Sequence, residues 1–350
     1  MKEIKHILIL TPGFPRDEND SVCIPPLQDF LLHFRSRFRN VEFTVVAFQY
    51  PFDKSLYKWN DISVFSLKGR NLKRDKIFVW DGALTIAKYL AEKKKLDVVH
   101  SLWFGECAFI GNRIASKFNV KHICTLMGQD VSAKNFYLRL LNKKKMTVVA
   151  LSHNQKVLFN KLTNYEVDTE IFWGVPSQVY NYDAHRDIDL LGVGSLIPLK
   201  NFGLMIKIVA QLKNHFPELK CKLIGSGSES ERLLKLCSKM KIERHFEFLG
   251  NQSRENVFGY MRRSRILLHP SLFEGSAMVF AEALANGMNI VSFNVGYARE
   301  THKWKIANDE NDMLDKVRDL LSSNLNHQPV NLFPIESTVE AYAKIYGIIN

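Results

Sequence analysis

The 350-residue chain has few cysteines, and Cys23, Cys107, Cys124, Cys221 and Cys237 are widely spaced with no CxxC pair. An odd, dispersed set excludes a small disulfide-stapled module and predicts buried thiols in a reducing compartment. Glycine and proline are modest at 18 and 11 residues, beside 46% hydrophobic and 24% charged residues. That balance excludes collagen-like sequence and global disorder. No apolar run approaches the roughly 18 residues of a spanning helix. The opening MKEIKHILILTPGFP lacks the apolar core and cleavage site of a secretory signal. The expectation is a cytoplasmic protein that is soluble or touches a membrane from outside. A full GxGxxG fingerprint, a Walker lysine motif and internal repeats are also missing.

What is present is an excess of positive charge and a steady alternation of strands and helices. Of the net +12, +9 falls in residues 1–187, which points that half toward an anionic partner. β-Branched apolar runs at 7–10, 41–48, 98–102, 122–126 and 147–151 read as strands, with helices over 26–38, 79–95, 106–118 and 154–162. Several strands are apolar on both faces, as in a parallel sheet covered by helices. The pattern restarts with strands at 190–194, 221–224, 245–249, 266–268 and 289–293. Helices are expected over 202–216, 229–240, 255–262 and 277–285, the second begun by a capping box of Ser228 and Glu231. Two more helices close the chain, at 312–321 and 336–348. The predicted organisation is α/β: a doubly wound domain over 1–173, a linker over 174–189 and a second doubly wound domain over 190–330. A C-terminal helix within 331–350 is expected to return to the first domain. Two such domains would face one another across a crevice, the default active site.

The densest local signal is HPSLFEGSAMVFAEALANGMNIVSF, residues 269–293. A strand end, a loop with Glu274 and a helix with Glu282 follow in order, the helix expected to start near Ser276. Backbone N–H groups of Gly275, Ser276, Ala277 and Met278 suit an anion at the helix start. Glu282 is placed to accept hydrogen bonds from a diol. Lys200 follows the strand in GVGSLIPLKNF and suits the growing charge of a diphosphate leaving group. Gly225-Ser226-Gly227 and Gly250-Asn251 end two further strands and offer backbone edges to a base.

In combination these segments resemble the retaining, nucleotide-sugar-dependent glycosyltransferases of group 1, also called family 4, which have the two-domain GT-B fold. The resemblance rests on Gly194…Lys200, Leu223-Ile224-Gly225-Ser226-Gly227, the E-x7-E pair Glu274 and Glu282, Ala283–Gly287 and Gly296…Glu300. It extends to Thr11–Pro15, where Gly13 sits in the first strand-to-helix loop, and to Thr125–Asp130, where Met127 replaces a histidine and Asp130 remains. Ser195 stands where members commonly carry an arginine.

The resemblance implies a UDP-, GDP- or ADP-activated donor, no cofactor and independence of metal. Lys200, Glu274 and Asp130 are the implied catalytic residues. Gly13, Ser195, Gly225, Gly250, Asn251, Gly275, Ser276, Ala277, Met278 and Glu282 are the implied donor-binding residues. The implied acceptor is a cell-envelope glycan or a lipid-linked acceptor. The basic residues Lys68, Arg70, Lys73, Arg74 and Lys76, flanked by Phe65, Phe78 and Trp80, then read as a contact with the anionic inner face of the cytoplasmic membrane. Lys93–Lys95 and Lys143–Lys145 add two further basic groups. No nucleic-acid reading motif accompanies this charge. The alternatives are a sugar-nucleotide-binding module without transfer and a nucleotide-sugar epimerase.

Overall fold

The computed structural model describes residues 5–53, 55–93, 96–176 and 185–350. The chain divides into two compact units, 1–173 with 335–350, and 174–334. The middle of the expected linker, 177–184, and the basic residues Lys94 and Lys95 lie outside the described residues.

In the first unit, β1 (Lys5–Gly13), α1 (Pro25–Arg37), β2 (Val41–Tyr50), β3 (Leu56–Trp59), β4 (Ile62–Ser66), α2 (Lys76–Glu92), β5 (Val98–Leu102), α3 (Glu106–Phe118) and β6 (Lys121–Thr125) lead on. They are followed by α4 (Tyr137–Leu140), β7 (Thr147–Ala150), α5 (His153–Thr163) and β8 (Thr169–Glu170). The sheet order is β3-β4-β2-β1-β5-β6-β7-β8. All neighbours pair parallel except β3 with β4. That hairpin was not predicted. Its two turn residues, Asn60 and Asp61, have φ of 44° and 63°, the left-handed pair that a tight hairpin turn requires.

The second unit contains β9 (Ile188–Val193), α6 (Phe202–Leu212), β10 (Cys221–Ile224), α7 (Ser230–Lys239), β11 (Phe246–Gly250), α8 (Arg254–Arg263) and β12 (Ser264–His269). After these come α9 (Met278–Ala285), β13 (Asn289–Phe293), β14 (Trp304–Ala307) and α10 (Glu310–Ser322). Its order, β11-β10-β9-β12-β13-β14, is parallel throughout. This is the doubly wound arrangement, and the order reverses between β9 and β12. In the first sheet the same reversal falls between β1 and β5.

Burial explains the runs apolar on both faces. Ile7–Leu10 are 0% exposed, as helices on either side of a parallel sheet require. The final helix, α11 (Ile335–Ile345), belongs to the first unit and contacts α1. Tyr342 and Tyr346 enter the core there: Tyr346 OH lies 2.6 Å from His100 Nδ1, and Tyr342 OH lies 2.7 Å from Thr125 Oγ1.

Two local expectations need correction. α7 is capped by Glu229 without a side-chain bond, and Ser230, rather than Ser228, reaches back to Gly227. Helix α9 starts at Met278 rather than near Ser276, because Ala277 stands at φ 62° just before it.

Candidate active site

The reversal point of the second sheet brings the strongest sequence signals together. β9 runs into Gly194 and Ser195, and a short turn over Pro198–Lys200 aims Lys200 back across the strand end. β12 ends at His269, and its loop docks on the same turn: Leu272 N–H donates to Leu199 O at 2.9 Å. Residues 74 positions apart thereby meet. Lys200 Nζ lies 2.5 Å from Glu274 Oε1, and His269 Nε2 lies 2.7 Å from that same oxygen. Glu274 Oε2 accepts no hydrogen bond among the described residues.

His269 is the participant that sequence reasoning missed. It is 1% exposed, and Phe280 of α9 packs edge-on against its ring at 4.9 Å. Burial lowers its imidazole pKa against the opposing pull of Glu274, so the neutral ring donates Nε2–H to the carboxylate. Its Nδ1 is buried without a hydrogen-bond partner. Burial by itself would raise the Glu274 carboxyl. The His269 hydrogen bond and the Lys200 ammonium outweigh it and hold Glu274 down to about 2. The only sequence clue was position: the last residue of a strand leading into the glutamate loop.

Backbone packing shapes the rest of this edge. A Cβ on Gly225, at φ +137°, would stand 1.9 Å from Gly194 O, so the ends of β9 and β10 approach closely only with glycine there. Gly225 N–H donates to Gly250 O at 2.8 Å, and Ser226 Oγ donates to Asn251 Oδ1 at 3.0 Å. Glycine also lets residue 296 sit on the helix-entry loop, where a Cβ would lie 2.5 Å from Ser276 O. Gly275, Ser276, Ala277 and Met278 form that entry. Ser195 is exposed at the end of β9.

Glu282 lies one turn into α9, with Arg254 Nη2 at 3.5 Å from its Oε1. This arginine opens α8, beyond the Ser253 N-cap, and also lies over the Phe258 ring. It too was absent from the sequence-derived site.

Gly13 and Asp130 lie in the first unit. Gly13 ends β1 with room for a Cβ, the nearest atom being Cys23 Sγ at 3.5 Å. Asp130 is buried, and both its oxygens are engaged: Oδ2 by the N–H of Phe104 at 2.7 Å and Oδ1 by that of Gly128 at 2.7 Å, with Met127 N–H at 3.1 Å from each. Burial raises its pKa against the opposing pull of these backbone hydrogen bonds. The carboxylate therefore organises two loops. The sequence also contains an Asp-x-Asp spelling, Asp187-Ile188-Asp189. It lies at the start of β9, the opposite edge from Lys200, with Asp187 paired to Arg263 and Asp189 to Arg265. Among the described residues, no three His, Cys, Asp or Glu side chains are grouped to hold a metal ion.

Comparison with known proteins gives this geometry a context. Residues 183–330 match the model of the family described as glycosyl transferases group 1. An uncharacterised glycosyltransferase of Methanocaldococcus jannaschii is 23% identical over 320 residues, 87% of either chain. The gpi3 subunit of phosphatidylinositol N-acetylglucosaminyltransferase from Schizosaccharomyces pombe is 28% identical over 150 residues, 41% of this chain and 33% of that one. Among solved structures, HepE from Anabaena in complex with UDP and glucose superposes with a TM-score of 0.77 at 14% identity, covering 99% of this chain and 100% of HepE.

Proposed function

We propose that this chain, a GT-B-fold glycosyltransferase related to the group 1 family, transfers a sugar from a nucleotide diphosphate to an acceptor hydroxyl with retention at the anomeric carbon. The observation that carries the reading is the meeting of Lys200, His269 and Glu274 on one carboxylate oxygen at the reversal point of the second sheet.

In this mechanism the bond from C1 to the diphosphate oxygen breaks, and the acceptor oxygen bonds C1 on the same face. The acceptor proton passes to the departing diphosphate. Lys200 and the backbone N–H groups of 275–278 stabilise the charge that develops there. Glu274 orients sugar hydroxyls through Oε2, Glu282 takes the ribose diol, and the edge at Gly250 and Asn251 receives the base. Asp130 receives no chemical step, because its oxygens serve backbone amides. UDP is the first donor nucleotide to test, since HepE binds it. A cell-envelope glycan or lipid-linked acceptor is proposed, and the lipid phosphatidylinositol in the gpi3 enzyme's name lends support to an acceptor carried on lipid.

The same reading assigns the first unit to the inner face of the cytoplasmic membrane. No helix among the described residues is long and apolar enough to cross a membrane. At the start of α2, however, Ile77 and Phe78 are 73% and 78% exposed beside exposed Arg70, Lys73 and Arg74. Phe65 and Trp80 are half-buried, and Lys76 is paired with Glu106, so these three drop out of the membrane contact.

The test is thermal stabilisation by UDP- and GDP-sugars, followed by turnover of the hits with and without envelope lipids. Stabilisation by a donor that Glu282→Ala weakens is expected. A donor bound but never transferred would leave a binding module, and sugar isomerisation without acceptor would reveal an epimerase.

A further inference from the structure

Trp103 follows β5 directly, at the reversal point of the first sheet, and enters the turn to α3 at φ +67°. A bulky L-residue rarely adopts that conformation, and it persists only where surrounding contacts over-determine it. Here they do. Trp103 N–H donates to Thr125 O at 3.0 Å, and Gly105 N–H donates back to Trp103 O at 2.9 Å. Phe104 N–H is held by Asp130, and Asn135 Nδ2 donates to Phe104 O at 2.7 Å. The backbone is fastened on every side.

The side chain receives none of that attention. The indole is half-buried and makes no side-chain hydrogen bond or ring contact among the described residues. The other tryptophans behave differently. Trp59 meets Phe14, Trp80 meets Phe109, Trp173 stacks on Phe30 and donates to Tyr342, and Trp304 donates to Ser292. Strain thus holds an unpartnered indole where doubly wound sheets bind ligands.

We propose that Trp103 is the stacking platform for a pyranose ring of the acceptor, an inference that rests on the transferase reading. The C–H face of a pyranose carries slight positive charge and packs on the negative π-face of an indole. The ring's hydroxyls remain free for the surrounding loops, and Trp103 Nε1–H is free to donate to one of them. Asp130 then supports the reaction indirectly: it holds the turn that fixes the platform.

The experiment uses the full chain grown with 5-fluorotryptophan, the Trp103 fluorine signal being identified by its loss in Trp103→Phe. Methyl α-glucopyranoside, methyl α-mannopyranoside and methyl N-acetyl-α-glucosaminide are titrated, with an alkyl-chain detergent as the apolar control. A saturable shift of the Trp103 signal alone is expected with at least one pyranoside. Affinity should fall at least tenfold in Trp103→Ala and stay within a few-fold in Trp103→Phe. Trp103→Gly relieves the backbone strain, so it should also lose the sugar while keeping or gaining thermal stability, which separates loss of binding from unfolding. A Trp103 signal unmoved by every pyranoside, a response to detergent only, or undiminished affinity in Trp103→Ala would overturn the platform. UDP-induced stabilisation, measured on the same samples, tests the donor site in the second unit separately. Its loss would sink the transferase reading, whereas its survival beside a silent Trp103 would sink only the platform.

Discussion

Three side chains of very different visibility, Lys200, His269 and Glu274, meet at one oxygen of the proposed donor site. Glu274 and Lys200 stand out by motif, whereas His269 becomes visible only through its hydrogen bond. Its contribution is testable because glutamine can mimic a donating Nε2 and leucine cannot. His269→Leu leaves a buried carboxylate with Lys200 alone, so the Glu274 pKa rises from about 2 and the acid limb of kcat/KM moves upward with it. A loss of at least tenfold in kcat/KM is expected, about 1.4 kcal/mol, with His269→Gln restoring most of it. Identical pH profiles for His269→Leu and the parent enzyme would reduce His269 to packing. Lys200→Ala should lower kcat by about a hundredfold. Its ion pair with Glu274 adds a cost of about 1–3 kcal/mol in stability, as expected when a buried partner is removed. Urea midpoints measured beside kinetics separate the two effects.

At the scale of elements, helix α9 couples the site to its support. Its entry residue Ala277 occupies φ 62°, which costs an L-residue roughly 1–2 kcal/mol. Ala277→Gly removes that strain but loosens the unfolded chain, so a net gain of up to about 1 kcal/mol is expected. Ala277→Val should destabilise the protein and weaken UDP binding, because a branched side chain is worse still at positive φ. Urea denaturation and UDP titration together check both. Helix α2 carries a different burden. Exposed Ile77 and Phe78 beside Lys73 and Arg74 predict flotation with anionic but not neutral vesicles. Each basic residue contributes roughly 1 kcal/mol near such a surface, less at high salt. Lys73→Glu with Arg74→Glu should abolish flotation, and Phe78→Ser should weaken it at constant charge; equal recovery with both vesicle types, or none with either at low salt, would remove the anionic-membrane assignment.

For the molecule as a whole, two buried imidazoles contribute to the acid sensitivity of the fold. His100 and His122 are fully buried, and burial pushes each down to about 3, with His122 adding repulsion at His100. Their neutral forms favour the fold, so this stability is complete above the unfolded value near 6.5 and is lost as pH falls toward 3. Each group contributes a slope of about 1.4 kcal/mol per pH unit within that window. His122 accepts no bond at Nδ1 and meets Ser101 Oγ through Nε2 at 2.9 Å. His122→Leu should therefore flatten the pH dependence of the urea midpoint by about one proton, while an unchanged slope would place the acid sensitivity elsewhere.

The alternating α/β plan was written in local pattern, because strand and helix periodicities depend on neighbours a few residues apart. β5, α3, β10 and β13 lie where β-branched runs and helical stripes put them. The glutamate loop was equally legible, since Glu274 and Glu282 fall within one strand-loop-helix unit. Features that depend on distant partners were not. The β3–β4 hairpin turns on Asn60 and Asp61 at positive φ, which composition alone does not demand. The resemblance implies a catalytic role for Asp130, whereas only packing brings three backbone amides to its carboxylate. Which aromatic beside the basic cluster faces solvent was decided by helix rotation against the sheet, leaving Phe78 out and Trp80 half-buried. Sequence by itself determined the elements and the chemical types at the strand ends. Only tertiary structure decided which of those groups share an oxygen, which are consumed by backbone, and which indole is left without a partner, because those outcomes depend on contacts between residues far apart in the chain.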